Sequence, residues 1–395
     1  MVNQIYALLN EVNSELGGAG GATVKDTSSF VAMGNKLISD VLALEKFYGK
    51  LGDVVGRTIA TAMALADEDD MDIIKTTSQF GDILRIIKVK TIGGATKNNS
   101  WNVGNDGKFE QVNPFTVKLR DTTDIAVKYY KARGTFEADP KVIYDYQLET
   151  AFKSEAEMSA FINLIFVDQR NSMIRAKIDL KKLTIATGIA AALKDNTESP
   201  THPATHRNLL AEYNTLTNES LTVATCMRDA GFLRYASEEM IQTAKKLKDG
   251  YPTTLYNSQG YEATLYGDLA IRVHTDFATS VKVNMQSDTY HKDLVELPMY
   301  KEVVGWQSND GTFADTSKIN ISNEATDTAD ALEVEQGGVI AYMYDTFRQG
   351  VTYDRVRNKS IYNPASECTT YFAKCDWGAY VDSSYNGVVF YIANA

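Results

Sequence analysis

His202 and His206 stand four residues apart, a spacing that puts two imidazoles on one helical face, within reach of a single metal ion. Pro203 sits between them and no nearby acid completes a ligand set, so a solvated linker is the favoured reading. DEDDMD at 67–72 opens like a calcium loop, but the turn glycine and the closing glutamate are missing, which leaves a solvated acidic helix end. GGAGGATVK at 17–25 and GNDGK at 104–108 resemble phosphate loops without the spacing of GxxxxGK[ST]. GxSxG, HExxH and a GxGxxG following a strand are all missing. Asp/Glu pairs are abundant, and sequence spacing singles out none of them as a glycosidase dyad. Asn98, Asn218, Asn320 and Asn358 begin N-x-S sequons, which carry little weight without a secretion signal. The expectation is therefore no catalytic residue, no cofactor and no metal.

The totals narrow the classes further. A chain of 395 residues suggests two or three subdomains, and 44% apolar residues is enough for real cores. The net charge of -11 argues against a nucleic-acid-binding protein. Cys226, Cys368 and Cys375 are an odd number without CxxC spacing, which argues against zinc and disulfides and for a reducing compartment. MVNQIYALLNEVNSEL does not read as a signal peptide, and no apolar run reaches the roughly 18 residues of a membrane span. A soluble, intracellular, folded protein is expected.

Ile5, Leu8, Leu9, Val12 and Leu16 recur at helical intervals, and a second helical region starts near Ser28. Residues 1–81 read as an arm of amphipathic helices, without strands and too short to enclose its own apolar faces. ILRIIKVKTI from Ile83 reads as a strand, 93–110 as a glycine/asparagine tip, and NPFTVKLRDTTDIAVKYYKARGTFEA as the returning strand. Such a hairpin is marginal alone and needs a surface to lie on. Residues 154–183 contain neither glycine nor proline and read as one helix about 45 Å long, longer if it continues toward Ala192. Ser154 and Glu157 form a capping box, and Met158, Phe161, Ile162, Ile165, Met173, Ala176, Leu180 and Leu183 mark an apolar stripe. Arg175, Lys177, Lys181 and Lys182 are read as the basic C-terminal end that suits the helix dipole.

NTESPTHPATHR at 196–207 is a polar link and a domain boundary. NLLAEYNTL reads as a helix, GFLRYA as a strand, and SEEMIQTAKKLKDG as a helix opened by Ser237 and stopped at Gly250. TTLYNS and LAIRVHTD read as strands, 307–332 as an acidic polar stretch, and the sequence from GGVIAYMYD onward as a closing sheet. The fold class is α+β. An arm, a protruding hairpin and a long rod expose surface that one copy cannot satisfy, which points to contacts repeated between copies.

This order of elements resembles the major capsid proteins of tailed bacteriophages, a fold shared with the herpesvirus capsid floor and encapsulin shells. GFLRYASEEMIQTAKKLKDG with LYGDLAIRVHTD is similar to the family's A-domain pattern. KYYKARGTFEADPKVIYDYQLETAFKSEAEMSAFINLIF, with YMYDTFRQGVTYDRVRNKSIYN and VVFYIANA, looks most like the capsid proteins of small short-tailed phages. The resemblance implies an N-terminal arm at 1–81, an E-loop hairpin at 82–135 and a P domain with its spine helix at 136–200. It further implies an A domain at 201–337 and a return to the P-domain sheet at 338–395. It implies pentamers and hexamers of an icosahedral shell around double-stranded DNA, enclosed without sequence-specific binding or any membrane. A virion location follows, with assembly in the host cytoplasm and a separate scaffolding protein and portal protein as partners. The immunoglobulin-like domain that some relatives carry after the last strand is not expected. An encapsulin-type compartment, and a soluble α+β enzyme of unknown reaction, are the alternatives.

Charge suggests where copies meet. Residues 82–135 hold ten Lys/Arg against five acids, while 136–157 hold six acids against two lysines. The expectation is that the basic hairpin of one subunit lies over the acidic head of a neighbour's long helix. Lys97 and Lys108 would face Glu149, Glu155 and Glu157, with Trp101 and Phe109 as apolar anchors.

Overall fold

The computed structural model describes residues 2–15, 23–40, 43–51, 74–77, 84–89, 125–130, 133–194, 205–249, 256, 268–286, 300–306, 317–323 and 332–394. The chain forms two compact units, the first of 1–81, 133–182 and 351–378, the second of 82–132, 183–350 and 379–395.

In the first unit, helices α1 (Val2–Glu15), α2 (Thr27–Ser39) and α3 (43–51) accompany a four-stranded sheet. The strand order is β1 (Ile74–Thr77), β11 (Gln349–Asn363), β12 (Cys368–Val381), β4 (Arg133–Tyr144). Helix α4 (Asp145–Ala151) and the first part of α5 (Glu155–Lys194) complete the unit. Strand β12 alternates as a half-buried strand should: Tyr371, Ala373 and Cys375 are buried, while Phe372, Lys374 and Asp376 are partly exposed. Its register with β4 runs from Cys368↔Tyr144 to Gly378↔Arg133 and shifts between Tyr371 and Ala373, opposite Asp139–Pro140. Proline cannot donate to the ladder, which accounts for an irregularity there.

The apolar faces of the N-terminal helices are covered within the chain. Leu9, Val12, Phe30, Leu37, Phe47 and Tyr48 share one core with Leu148, Phe152, Met158 and Tyr371. Phe152 is its centre, with ring centroids 5.6 Å from both Phe30 and Phe47. Helix α2 comes close because it presents glycine: a Cβ on Gly34 would lie 2.5 Å from the Phe152 ring. The expectation of an arm without strands is corrected on one point. IKTT at 74–77 pairs into the sheet, a strand too short and too polar to show as a hydrophobic run.

In the second unit the five-stranded order is β5 (His206–Asn208), β13 (Gly387–Tyr391), β10 (Val339–Asp345), β6 (Leu269–His274), β7 (Tyr300–Val303). Helices α6 (Leu209–Thr217), α7 (Val223–Cys226), α8 (Ala230–Asp249) and α9 (Thr275–Gln286) belong to it as well. Phe232, Leu233, Met240 and Leu247 of α8 join Ile271, Val273, Ala341 and Met343 in its core. Two antiparallel pairs stand apart from both sheets: β2 (Leu84–Val89) with β3 (Ile125–Tyr130), and β8 (Ile319–Asn323) with β9 (Leu332–Gln336).

Three readings change here. GFLRYA is helix: α8 starts at Ala230, and the Asp229 carboxylate accepts the backbone N–H of Phe232 at 2.7 Å, the role expected of Ser237, which is instead buried. The four strands after residue 338 do not all join one sheet. β11 and β12 pair beside β4, whereas β10 and β13 flank each other beside β6. Buried residues at every position of β10 explain why alternation alone could not separate the two pairs. Finally α5 runs to Lys194, so Lys177 and Lys181 lie in mid-helix and are buried rather than forming a basic end. TTLYNS apart from Tyr256, the acidic segment 67–72, the tip 93–110 and most of 307–332 lie outside the described residues.

Candidate assembly surface

Two devices set the head of α5. The backbone N–H of Glu157 donates to Ser154 Oγ at 3.2 Å and Met158 N–H to Ser154 O at 3.0 Å, so Ser154 caps as expected. Just upstream, the Asp145 carboxylate accepts from Tyr48 OH at 2.8 Å and Tyr362 OH at 3.0 Å, which fixes the start of α4 to α3 and β11. Glu149 on α4 and Glu157 on α5 are both exposed.

Glu155 differs. Its carboxylate accepts the phenol of Tyr6 from α1, a contact that holds Glu155 below the usual carboxylate range and pushes Tyr6 up to about 12. Of the three acids, two are presented to solvent and one is engaged by the chain's own N-terminal helix. Lys97, Trp101, Lys108 and Phe109 lie outside the described residues.

The structure also exposes apolar side chains on the side of β4 turned away from α5, which the sequence expectations did not include. Val142 and Tyr144 point outward from β4, Tyr146 is 63% exposed on α4, and Ile361 is half exposed on β11. The Tyr144 and Tyr146 rings stack at 5.7 Å. The signal was present in KVIYDY: Ile143 is buried between outward Val142 and Tyr144, an apolar residue on each side of the pleat. Toward the other end the same sheet is charged and internally matched. Arg357 Nη2 donates to both Asp376 oxygens at 2.6 and 2.5 Å, Thr135 Oγ1 donates to Asp376 at 2.8 Å, and Lys374 lies 3.0 Å from Glu137.

The buried polar groups read as architecture. On α5, Gln169 Nε2 donates to the Tyr371 carbonyl at 3.2 Å. Arg207 binds Glu212 and Glu239, joining β5 to α6 and α8. His206 lies in a strand with its pKa lowered by burial, so it does not share a helical face with His202, which is outside the described residues. Among the described residues no group of three His, Cys, Asp or Glu could hold a metal ion, and no helix is long and apolar enough to cross a membrane. All three cysteines are free and buried.

No curated protein matches the chain. In structure it is similar to the capsid of Staphylococcus phage Andhra, at 9% identity and TM-score 0.50, over 83% of this chain and 84% of that one. It is also similar to the capsid of Cyanophage P-SCSP1u, at 12% identity and TM-score 0.46, over 82% and 87%. The family model described as Phi29-like phage major capsid protein matches residues 9–391. Matched by that model over nearly its whole length, the chain belongs to the Phi29-like phage major capsid protein family and is a structural subunit of an icosahedral phage shell.

Proposed function

We propose that copies of this subunit form the pentamers and hexamers of the shell through a hairpin-to-head contact. In this reading 1–81 is the N-terminal arm, 82–135 the E-loop, 136–200 the P domain with α5 as spine, 201–337 the A domain, and 338–395 the segment that returns to the P domain through β11 and β12. Lys97 and Lys108 of one subunit meet Glu149, Glu155 and Glu157 of the next. Trp101 and Phe109 seat on the exposed cluster of Val142, Tyr144, Tyr146 and Ile361. The observation that carries it is charge: ten cations against five acids in 82–135, and six acids against two lysines in 136–157. One exposed pair contributes only about 0–1 kcal/mol, but each pair recurs at every subunit boundary of a closed shell.

The subunit has no catalytic step and no cofactor in this reading, and it assembles in the host cytoplasm with a separate scaffolding protein and a portal protein. It encloses DNA without sequence-specific binding, and a net charge of -11 suits a wall that does not hold phosphate during packing and release. The test is Lys97→Glu with Lys108→Glu. Sedimentation and negative-stain microscopy should show impaired shell closure while circular dichroism of the free subunit is unchanged. Normal shells from this variant would refute the contact.

A further inference from the structure

The acidic head of α5 has an occupant already. Tyr6 of α1 donates to Glu155, and the Tyr6 ring lies 6.4 Å from Phe30 of α2. The other polar attachments of α1 run elsewhere. Asn10 exchanges two hydrogen bonds with the backbone of Val24, at 3.2 and 2.7 Å, and Lys50 of α3 pairs with Glu11 at 2.7 Å and Glu15 at 2.8 Å. Leu8, Leu9 and Val12 supply the apolar grip.

The phenol of Tyr6 occupies Oε1 of that carboxylate, so a cation arriving from another subunit competes with it there. The two donors are unequal. An ammonium or guanidinium bonds a carboxylate more strongly than a neutral phenol does, whereas Tyr6 has the advantage of being tethered to the same chain. The balance therefore turns on subunit concentration: dilute subunits keep Tyr6 on Glu155, and crowded ones exchange it.

We propose that α1 is an intramolecular cover for the head of the spine helix, latched by Tyr6 on Glu155, which sets the concentration at which subunits begin to assemble. This deepens the hairpin-to-head reading and rests on it. Tyr6→Phe removes the latch and keeps the ring in the core. It should lower the threshold concentration for shell formation about threefold or more, with the circular dichroism of the free subunit unchanged. An unchanged or higher threshold overturns the latch.

Adding Tyr6→Phe to the Lys97→Glu, Lys108→Glu variant separates the two ideas. If both hold, the threshold shift disappears in that background. If the charge-reversed variant alone assembles normally, the docking reading fails, whatever Tyr6→Phe does. Should Tyr6→Phe fold poorly, hydrogen exchange of the wild-type protein decides. The amides of α1 should exchange faster in assembled shells than in free subunits, and equal or slower exchange in shells overturns the proposal.

Discussion

Between residues 155 and 182, α5 reserves one side for solvent: Asn171, Ser172, Arg175, Ile178 and Lys182 are exposed while Met158, Met173 and Leu180 are buried. From 184 to 193 every residue is buried, and the composition shifts to alanine, threonine, isoleucine and one glycine. One continuous backbone thus meets two packing problems. The first part carries long side chains over a sheet on one side only, and it buries polar groups among them, Gln169, Lys177 and Lys181. The second is enclosed all round, as a helix without a polar face must be. Small side chains there let neighbours approach the helix axis. A Cβ on Gly188 would collide with the Gln349 amide oxygen and lie 2.9 Å from Tyr342 OH. Uninterrupted helical sequence says that a rod exists, and the size of its side chains says how closely it is surrounded.

The largest expected effect tests that closeness. Gly188→Leu must displace Gln349 and Tyr342, both fully buried, and should cost about 3 kcal/mol or more. Ser172→Leu, on the exposed side of the first part, should stay within about 0.5 kcal/mol. Thermal unfolding of the two variants side by side is the measurement. Similar melting temperatures would mean that the second part is no more tightly enclosed than the first.

A middling effect, of opposite sign, tests the polar interior of the first part. Lys177 is held down to about 8, by burial first and by the like charge of Lys181 second. Its ordinary value is 10.5, so between pH 8 and 10.5 the unfolded chain binds more protons than the folded one, and stability rises with pH across that window. Below pH 8 the full cost of burying the charge is present. Lys177→Met should therefore stabilise the subunit at pH 7 by about 1–3 kcal/mol, with the gain fading as pH rises through 10.5. Denaturant unfolding at pH 7 and near pH 10 reads this directly. A variant less stable than wild type at pH 7 would show that the partners of Lys177 outweigh its desolvation.

Both features mark where the sequence stops being legible. The rod, its Ser154 cap and its apolar stripe follow from spacing, and β6, β10 and β13 follow from β-branched and aromatic runs. The basic residues 175–182 looked like a helix end because lysines favour C-termini, but the helix continues through ten small and apolar residues that carry no stop signal. GFLRYA has strand composition, yet Phe232, Leu233 and Ala236 lie at helical spacing in a core formed by β6 and β10, so tertiary packing overrode propensity. The contact of Tyr6 with Glu155 joins residues 149 apart, a proximity that no local pattern encodes. The acids 149, 155 and 157 were found by charge counting. That method cannot tell a carboxylate facing solvent from one already holding a phenol.

The smallest expected change on the free subunit falls on the solvent side of the first part. Ile178 is 40% exposed in the isolated chain, so Ile178→Ser should alter subunit stability by no more than about 0.5 kcal/mol. Its use lies in a second reading of the same variant. If shells form at the wild-type threshold, the outer side of 155–182 faces solvent in the assembly as in the subunit, and the contrast between the two parts of α5 is complete. If the threshold rises while the unfolding midpoint of the free subunit holds, another copy covers Ile178. Exposure would then be a property of the free subunit alone. The two parts of the helix would differ in when they are enclosed, one by folding and the other by assembly.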